Sequence, residues 1–494
     1  MLRFAVIGSG PAGVYAAAGL VARGDVQVDV YDRLPCPFGL VRYGVAPDHV
    51  KMKAVSAALQ KTLEHPDVRF LGNVELGRDL SVDDLHRHYD AFVLSQGAAV
   101  GRDLGIPGED LPGSVSATDF VAWYSAHPDA ACPLPDGVLA CRGVAVIGVG
   151  NVAIDLARVL AKTADELAAT DVPDAVLDVL RDSAVEDIHI IGRRSAAHAK
   201  FTTKELKELG ELSNADVIVD PADLELDEEG ERVIASQPVK ARNLEVLRQW
   251  ADREPEGRPR RIHMRFLHRP VEVVGDDRVT GLRLERTRID EAGTAVGTGE
   301  TVTLDVELVL RSVGYRGVPV PGMPFDERGG IIPNEAGRVL RDGETSTGEY
   351  VAGWIKRGPT GVIGTNKSDA HETVTALLED AGALPPAPER DPDAILGVLA
   401  SRGAEVVVWD GWSAIDAAEL ALGPARGGKR VKIADRALLL RTATAVAASD
   451  GQGDVRVIDL DGSGRDGDAS RDADSRSNVS MAASDSGRAG AAGA

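Results

Sequence analysis

Short, largely apolar runs recur along the chain at residues 4–7, 28–31, 91–95, 144–147, 188–191, 308–315 and 350–354. Runs of this length without polar alternation predict strands covered on both faces, as in parallel sheets. Helical stretches separate them, at 12–22, 174–181 and 367–381. Strand and helix in alternation predict a doubly wound α/β architecture. Two Pro/Gly-rich crossings, at 105–113 and 317–324, mark places where chain direction changes and domains join. They flank the middle of the chain, so one domain is expected to be inserted into another. After a proline-rich stretch at 385–390 a small α/β appendage is expected, with strand-like runs at 406–409 and 430–433. From residue 443 the chain is rich in Ala, Gly, Ser and Asp with scattered Arg, and 443–494 is expected to be a disordered tail.

Two of these strands end in glycine turns that open a helix. The first is Gly8-Ser9-Gly10-Pro11-Ala12-Gly13. Its glycines suit a tight turn, a close approach to a pyrophosphate, and helix–strand packing, while the helix N-terminus offers amide donors. Asp32 ends the next strand, where a carboxylate can accept from ribose hydroxyls and disfavours a 2′-phosphate. The second turn, Gly148-Val149-Gly150-Asn151-Val152-Ala153, repeats the geometry, but the next strand ends in Gly192-Arg193-Arg194. Two guanidiniums in place of the ribose acid can fork around a phosphate, which selects NADP over NAD. An acid at one site and arginines at the other predict FAD in the first and NADP(H) in the second, in two Rossmann-like dinucleotide-binding domains. The expected division is 1–108 and 318–442 for the FAD domain, with the appendage, and 109–317 for the NADP domain inserted into it.

Composition narrows the field. The chain has 494 residues, 44% of them hydrophobic, and no apolar stretch long enough to cross a bilayer, so no membrane span is expected. The N-terminus runs directly into the first strand, which predicts no targeting segment and a cytoplasmic protein. Cys36, Cys132 and Cys141 have no Cys-x-x-Cys spacing, so a redox dithiol, a zinc centre and an iron–sulfur centre are not expected, and neither is any other metal site. With 55 Lys+Arg against 77 Asp+Glu the formal charge is −22, which disfavours nucleic acid as a partner. From Ala443 onward nine Asp face five Arg, so four of those negative charges sit in the tail and 18 on the rest.

Three further strings make the pattern specific: residues 34–49, around Cys36, Leu40 and His49; residues 199–206, ending in Glu205-Leu206; and residues 353–366, from Gly353-Trp354 through Gly361-Val362-Ile363-Gly364. With both glycine turns they resemble the adrenodoxin reductase-like ferredoxin–NADP+ reductases over roughly residues 1–440. Among these the chain is most similar to the bacterial, actinobacterial type without a fused ferredoxin domain. The resemblance implies non-covalent FAD against the first turn, Asp32, Leu40, Gly97 and the 353–364 segment, with Trp354 and Gly364 at the flavin ring. It implies that Asn151 meets the NADP pyrophosphate and that Arg193 and Arg194 meet the 2′-phosphate. Glu205 would lie toward the nicotinamide, His49 near the flavin, and Asp155 one helical turn beyond the second loop, as polar groups that organise the site. Departures from the family pattern are Gln96, Cys36, and His198 after the arginine pair.

The activity so implied is hydride transfer from NADPH to FAD, then two single-electron transfers to a ferredoxin-type iron–sulfur protein; the sequence leaves the oligomeric state open, with a monomer favoured. Two alternatives remain at this stage, an NADPH diaphorase or quinone reductase and an electron-input flavoprotein subunit of a larger complex. An acidic partner needs a basic face. The candidates are Lys204, Lys207, Lys240, Arg242, Arg248 and the run Arg258, Arg260, Arg261, His263 and Arg265.

Overall fold

The structure, a computed structural model, describes residues 1–132 and 141–445. A seven-stranded sheet runs in the order Asn334–Glu335, Arg338–Arg341, Glu344–Val351, Ala91–Leu94, Leu2–Ile7, Val26–Tyr31, Val68–Leu71. The five strands from Glu344–Val351 to Val68–Leu71 pair in parallel. A second sheet of six runs Ser114–Ser116, Leu308–Arg311, Gly143–Ile147, Asp187–Ile191, Arg260–Arg265, Ala215–Val219, all parallel. The first sheet thus takes strands from both ends of the chain and the second only from the middle, which is the expected insertion.

Burial on both faces explains the largely apolar runs. Phe4 and Val6 point into a core with the helices Pro11–Val21 and Thr365–Asp380, while Ala5 and Ile7 point into another with Leu85, Ile395 and Leu399. Gly143–Ile147 repeats this. Val144 and Val146 meet the helical core, and Ala145 and Ile147 meet a three-stranded antiparallel sheet through Leu282, Leu284 and Leu304. Where the chain leaves and re-enters the first sheet, Val100–Gly101 and Tyr315–Arg316 pair antiparallel, so the two crossings brace each other.

The appendage differs from the expectation. It is helical, comprising Ala394–Ser401, Trp409–Leu422 and Arg436–Ala445. Its single strand-like contact is a bridge from Val407 to Gly72, and 430–433 forms no strand. Val406 to Trp409 is apolar because it docks, with Trp409 edge-on to Phe70. The run at 350–354 is also shorter than expected, since Gly353 caps a helical turn, Trp354–Arg357. The last helix extends through Ala445, past the expected start of the tail, and the rest of 443–494 lies outside the described residues. Among the described residues no helix is long and apolar enough to cross a membrane.

Candidate functional site

The two glycine turns are built alike. A Cβ on Gly13 would fall 1.9 Å from the Gly8 carbonyl, so helix and strand pack this closely only over a glycine. Gly148, at φ +134°, lies against the Ser312 carbonyl. Each helix starts at a glycine N-cap, with no side-chain cap and no acid in its first turn. By contrast Ser81, Thr163 and Thr202 cap their helices with side-chain oxygens. Two fingerprint helices therefore present bare N–H groups, and nothing lies within 4 Å of the Cβ position at Gly150. The nearest atom to that position on Gly10 is the Gly39 Cα, at 4.0 Å. These open cradles fit a dinucleotide pyrophosphate at each site.

Around the first cradle, Asp32 accepts from the Ser9 amide at 2.9 Å, the Ser9 hydroxyl at 2.5 Å and the Leu34 amide at 2.9 Å. Burial pushes its pKa up, and these three bonds oppose the rise. Leu40 opens a short helix whose N-cap, Gly39, faces Gly10. The Gln96 amide, before Gly97, has both polar atoms buried without a partner. The 353–364 segment crosses in front of the same turn, since a Cβ on Gly353 would sit 2.6 Å from that of Ala12. Asp369 accepts from the Gly353 amide, and Trp354 packs on Tyr315 with ring centroids 5.5 Å apart and donates to the Thr360 carbonyl. Gly361, Val362 and Gly364 are exposed and Ile363 is half-buried, and the helix beginning at Gly364 is again uncapped by a side chain.

At the second cradle Asn151 accepts from the Thr202 amide at 2.9 Å, and its neighbour Val152 is half-buried. Arg193 is exposed. Arg194 lies 3.2 Å from Glu229, and His198 approaches the same carboxylate at 3.3 Å.

His49, Asp155 and Glu205 meet, although 106 residues separate the first two. His49 Nε2 lies 3.0 Å from Asp155 Oδ1 and 3.0 Å from Glu205 Oε2. Burial lowers the His49 pKa, but the bonds to Asp155 and Glu205 outweigh it and carry it up to about 9. Glu205 is pushed up by burial and pulled down further by His49, ending below its ordinary value.

Sequence reasoning missed the rest of this cluster. Arg158 reaches Asp48 at 2.7 Å, Asp155 at 2.8 Å and Glu205 at 3.5 Å, with Nη2 2.6 Å from the His49 ring, and Lys162 reaches Asp48 at 2.7 Å. Glu208 stands 3.8 Å from His49 Nδ1. Helical spacing held the signal, because Arg158 is three residues from Asp155, and Glu208 three from Glu205, on the inward face of each helix. His49, Glu205 and Glu208 have ligand atoms close enough for a metal ion, but the Arg158 guanidinium already supplies a cation there.

The expected basic run is not a free face. Arg260 is buried and donates to the Leu160 and Lys162 carbonyls, Arg261 and His263 bind Asp187, and Arg258 holds the Leu212 and Ala215 carbonyls. Lys240 donates to Ala199. Lys204, Lys207, Arg242 and Arg248 are exposed.

A family model described as pyridine nucleotide-disulphide oxidoreductase matches residues 2–212. NADPH-ferredoxin reductase FprA of Mycobacterium tuberculosis is 45% identical over 455 residues, covering 88% of this chain and 98% of that protein. Human mitochondrial NADPH:adrenodoxin oxidoreductase is 42% identical over 454 residues, covering 88% and 91%. The solved structure of M. tuberculosis FprA in complex with NADPH superposes with a TM-score of 0.85 at 44% identity, covering 90% of this chain and 99% of that one.

Proposed function

Because this chain belongs to the family of NADPH-ferredoxin and NADPH:adrenodoxin reductases, we propose that it oxidises NADPH and passes the electrons singly to a ferredoxin-type iron–sulfur protein. FAD, when bound, would supply the needed chemistry, since a flavin can take an electron pair from a nicotinamide and give electrons up one at a time. In this reading residues 1–108 and 318–442 hold FAD and 109–317 holds NADP(H), with the reaction in the cytoplasm. The observation that carries it is the pair of uncapped helix N-termini, one followed by Asp32 and the other by Arg193 and Arg194.

Each cradle residue then has a task. The turn from Gly8 to Gly13, with Pro11 and Ala12, holds the flavin pyrophosphate, and Asp32 keeps acceptor capacity for a ribose. Gly97, Leu40, Gly353, Trp354 and the 361–364 segment would border the flavin ring, where N–H donors would stabilise negative charge on it. Gly148, Gly150, Asn151 and Val152 hold the second pyrophosphate. His49, Asp155 and Glu205, locked by Arg158, orient the groups between the cradles and exclude water. No protein base is needed for a hydride that passes directly between the two cofactors.

The test is NADPH-driven reduction of cytochrome c by purified holoenzyme, with and without a ferredoxin-type protein. Stimulation of at least tenfold is expected. A rate that no ferredoxin-type protein raises would favour the diaphorase reading.

A further inference from the structure

Glu229 is an acid in a place where the chemistry asks for cations. It stands in the first turn of the helix Glu228–Ser236, which Asp227 caps by accepting from the Gly230 amide at 2.7 Å. Its carboxylate lies between Arg194 Nη2, at 3.2 and 3.4 Å, and His198 Nε2, at 3.3 Å. His198 is in turn oriented by Ser195 through a 2.8 Å bond to Nδ1. The carbonyls of the two arginines are held, that of Arg193 by the Thr287 hydroxyl and that of Arg194 by the Leu267 amide. The turn at Gly293, at φ +76°, lies against the carboxylate, where a Cβ would fall 3.4 Å from Glu229 Oε1. Arg194 Nε is buried without a partner, so the guanidinium keeps donor capacity that Glu229 does not use.

We propose that Glu229 is an internal anion that occupies the 2′-phosphate pocket and sets how tightly NADP is held. The inference rests on the assignment of Arg193 and Arg194 to that phosphate. An arriving 2′-phosphate brings about two negative charges to the guanidinium and imidazole that already face a carboxylate. It must displace Glu229 or bind against its repulsion, and either way part of the attraction is cancelled. A 2′-hydroxyl suffers no such repulsion. Glu229 therefore narrows the margin between phosphorylated and unphosphorylated nucleotides and speeds nucleotide release. The same carboxylate holds Arg194 in place while the pocket is empty.

Isothermal titration of the FAD-loaded holoenzyme with adenosine 2′,5′-bisphosphate and with 5′-AMP tests this without any redox step. Wild type should bind the bisphosphate more tightly, and a Kd ratio near one would sink the 2′-phosphate assignment and this inference with it. Glu229→Gln should raise that ratio about five- to thirtyfold, mostly through the bisphosphate, with the gain shrinking as salt is added. Glu229→Ala should follow in the same direction. Flavin absorbance and thermal midpoint report whether each variant is folded. A ratio unchanged or lowered in both folded variants would overturn the proposal, because Glu229 would then only be positioning Arg194.

Discussion

At the scale of single residues, the charge set around His49 controls its proton. Asp48, Asp155, Glu205 and Glu208 bring four negative charges against the positive charges of Arg158 and Lys162, so the imidazole is favoured as a cation. Its pKa of about 9 lies above the ordinary value near 6.5. The folded protein thus keeps a proton that the unfolded chain has released across that interval. The stability this adds is complete below about pH 6.5 and is lost as pH rises through about 9. NMR titration of the ring should place the midpoint near 9, and Asp155→Asn should move it toward 6.5. The stability lost in that variant should be larger at pH 6 than at pH 9.5, in urea denaturation. A wild-type midpoint at or below 6.5 would refute the account. Asp155 and Glu205 were legible only through family resemblance. Neither a lone acid on a buried helix nor a histidine after a proline-rich loop announces a partner more than a hundred residues away.

At the scale of elements, legibility followed how local the cause is. Strand–glycine–helix units are dictated by sterics within a few residues, and both were readable, the two strands and the first helix to within two residues of their ends. The helix Asp174–Arg181 was equally plain from its spacing. The appendage was misread because its apolar runs owe their composition to docking, not to pairing. The helix Trp409–Leu422 buries Glu419 completely, where Arg42 meets it through bonds of 2.9 and 2.5 Å. Arg430 and the Ile433 amide bind the same carboxylate at 3.2 and 2.9 Å, and Arg42 stacks on Trp412. Removing one partner of such a pair leaves an uncompensated buried charge, at a cost of about 3–5 kcal/mol. Glu419→Ala should lower unfolding free energy by that amount, measured by denaturant titration. A loss under about 1 kcal/mol would mean that solvent reaches Arg42 and replaces the carboxylate.

At the scale of the whole molecule, the C-terminal segment ties the two nucleotide-binding halves together. Lys432 donates to the Arg42 and Ser125 carbonyls and meets Asp171 at 3.3 Å, while Arg426 binds Asp174 and the Ala168 and Thr170 carbonyls. The His49 cluster ties them again at the site, so the cradles are held at a set distance. The charge of −22 then becomes a question of placement. The long basic run that invited a docking role is consumed by internal carbonyls and Asp187, a fate invisible in sequence because backbone acceptors leave no residue signature. What stays exposed lies beside the site. The helix Thr203–Gly210 turns Glu205 inward against His49 and leaves Lys204 and Lys207 on its outer face. A partner drawn to those lysines would arrive next to the His49 cluster. At physiological salt the Debye length is about 8 Å, so this local face outweighs the distant acidic surface. Lys204→Glu combined with Lys207→Glu should cut the rate with an acidic ferredoxin-type acceptor about tenfold at low salt and flatten its ionic-strength dependence. Reduction of the small anion ferricyanide should fall much less. An unaltered salt profile in that variant would place docking elsewhere, with Arg242 and Arg248 on the helix Pro238–Ala251 as the remaining exposed cations of the original set.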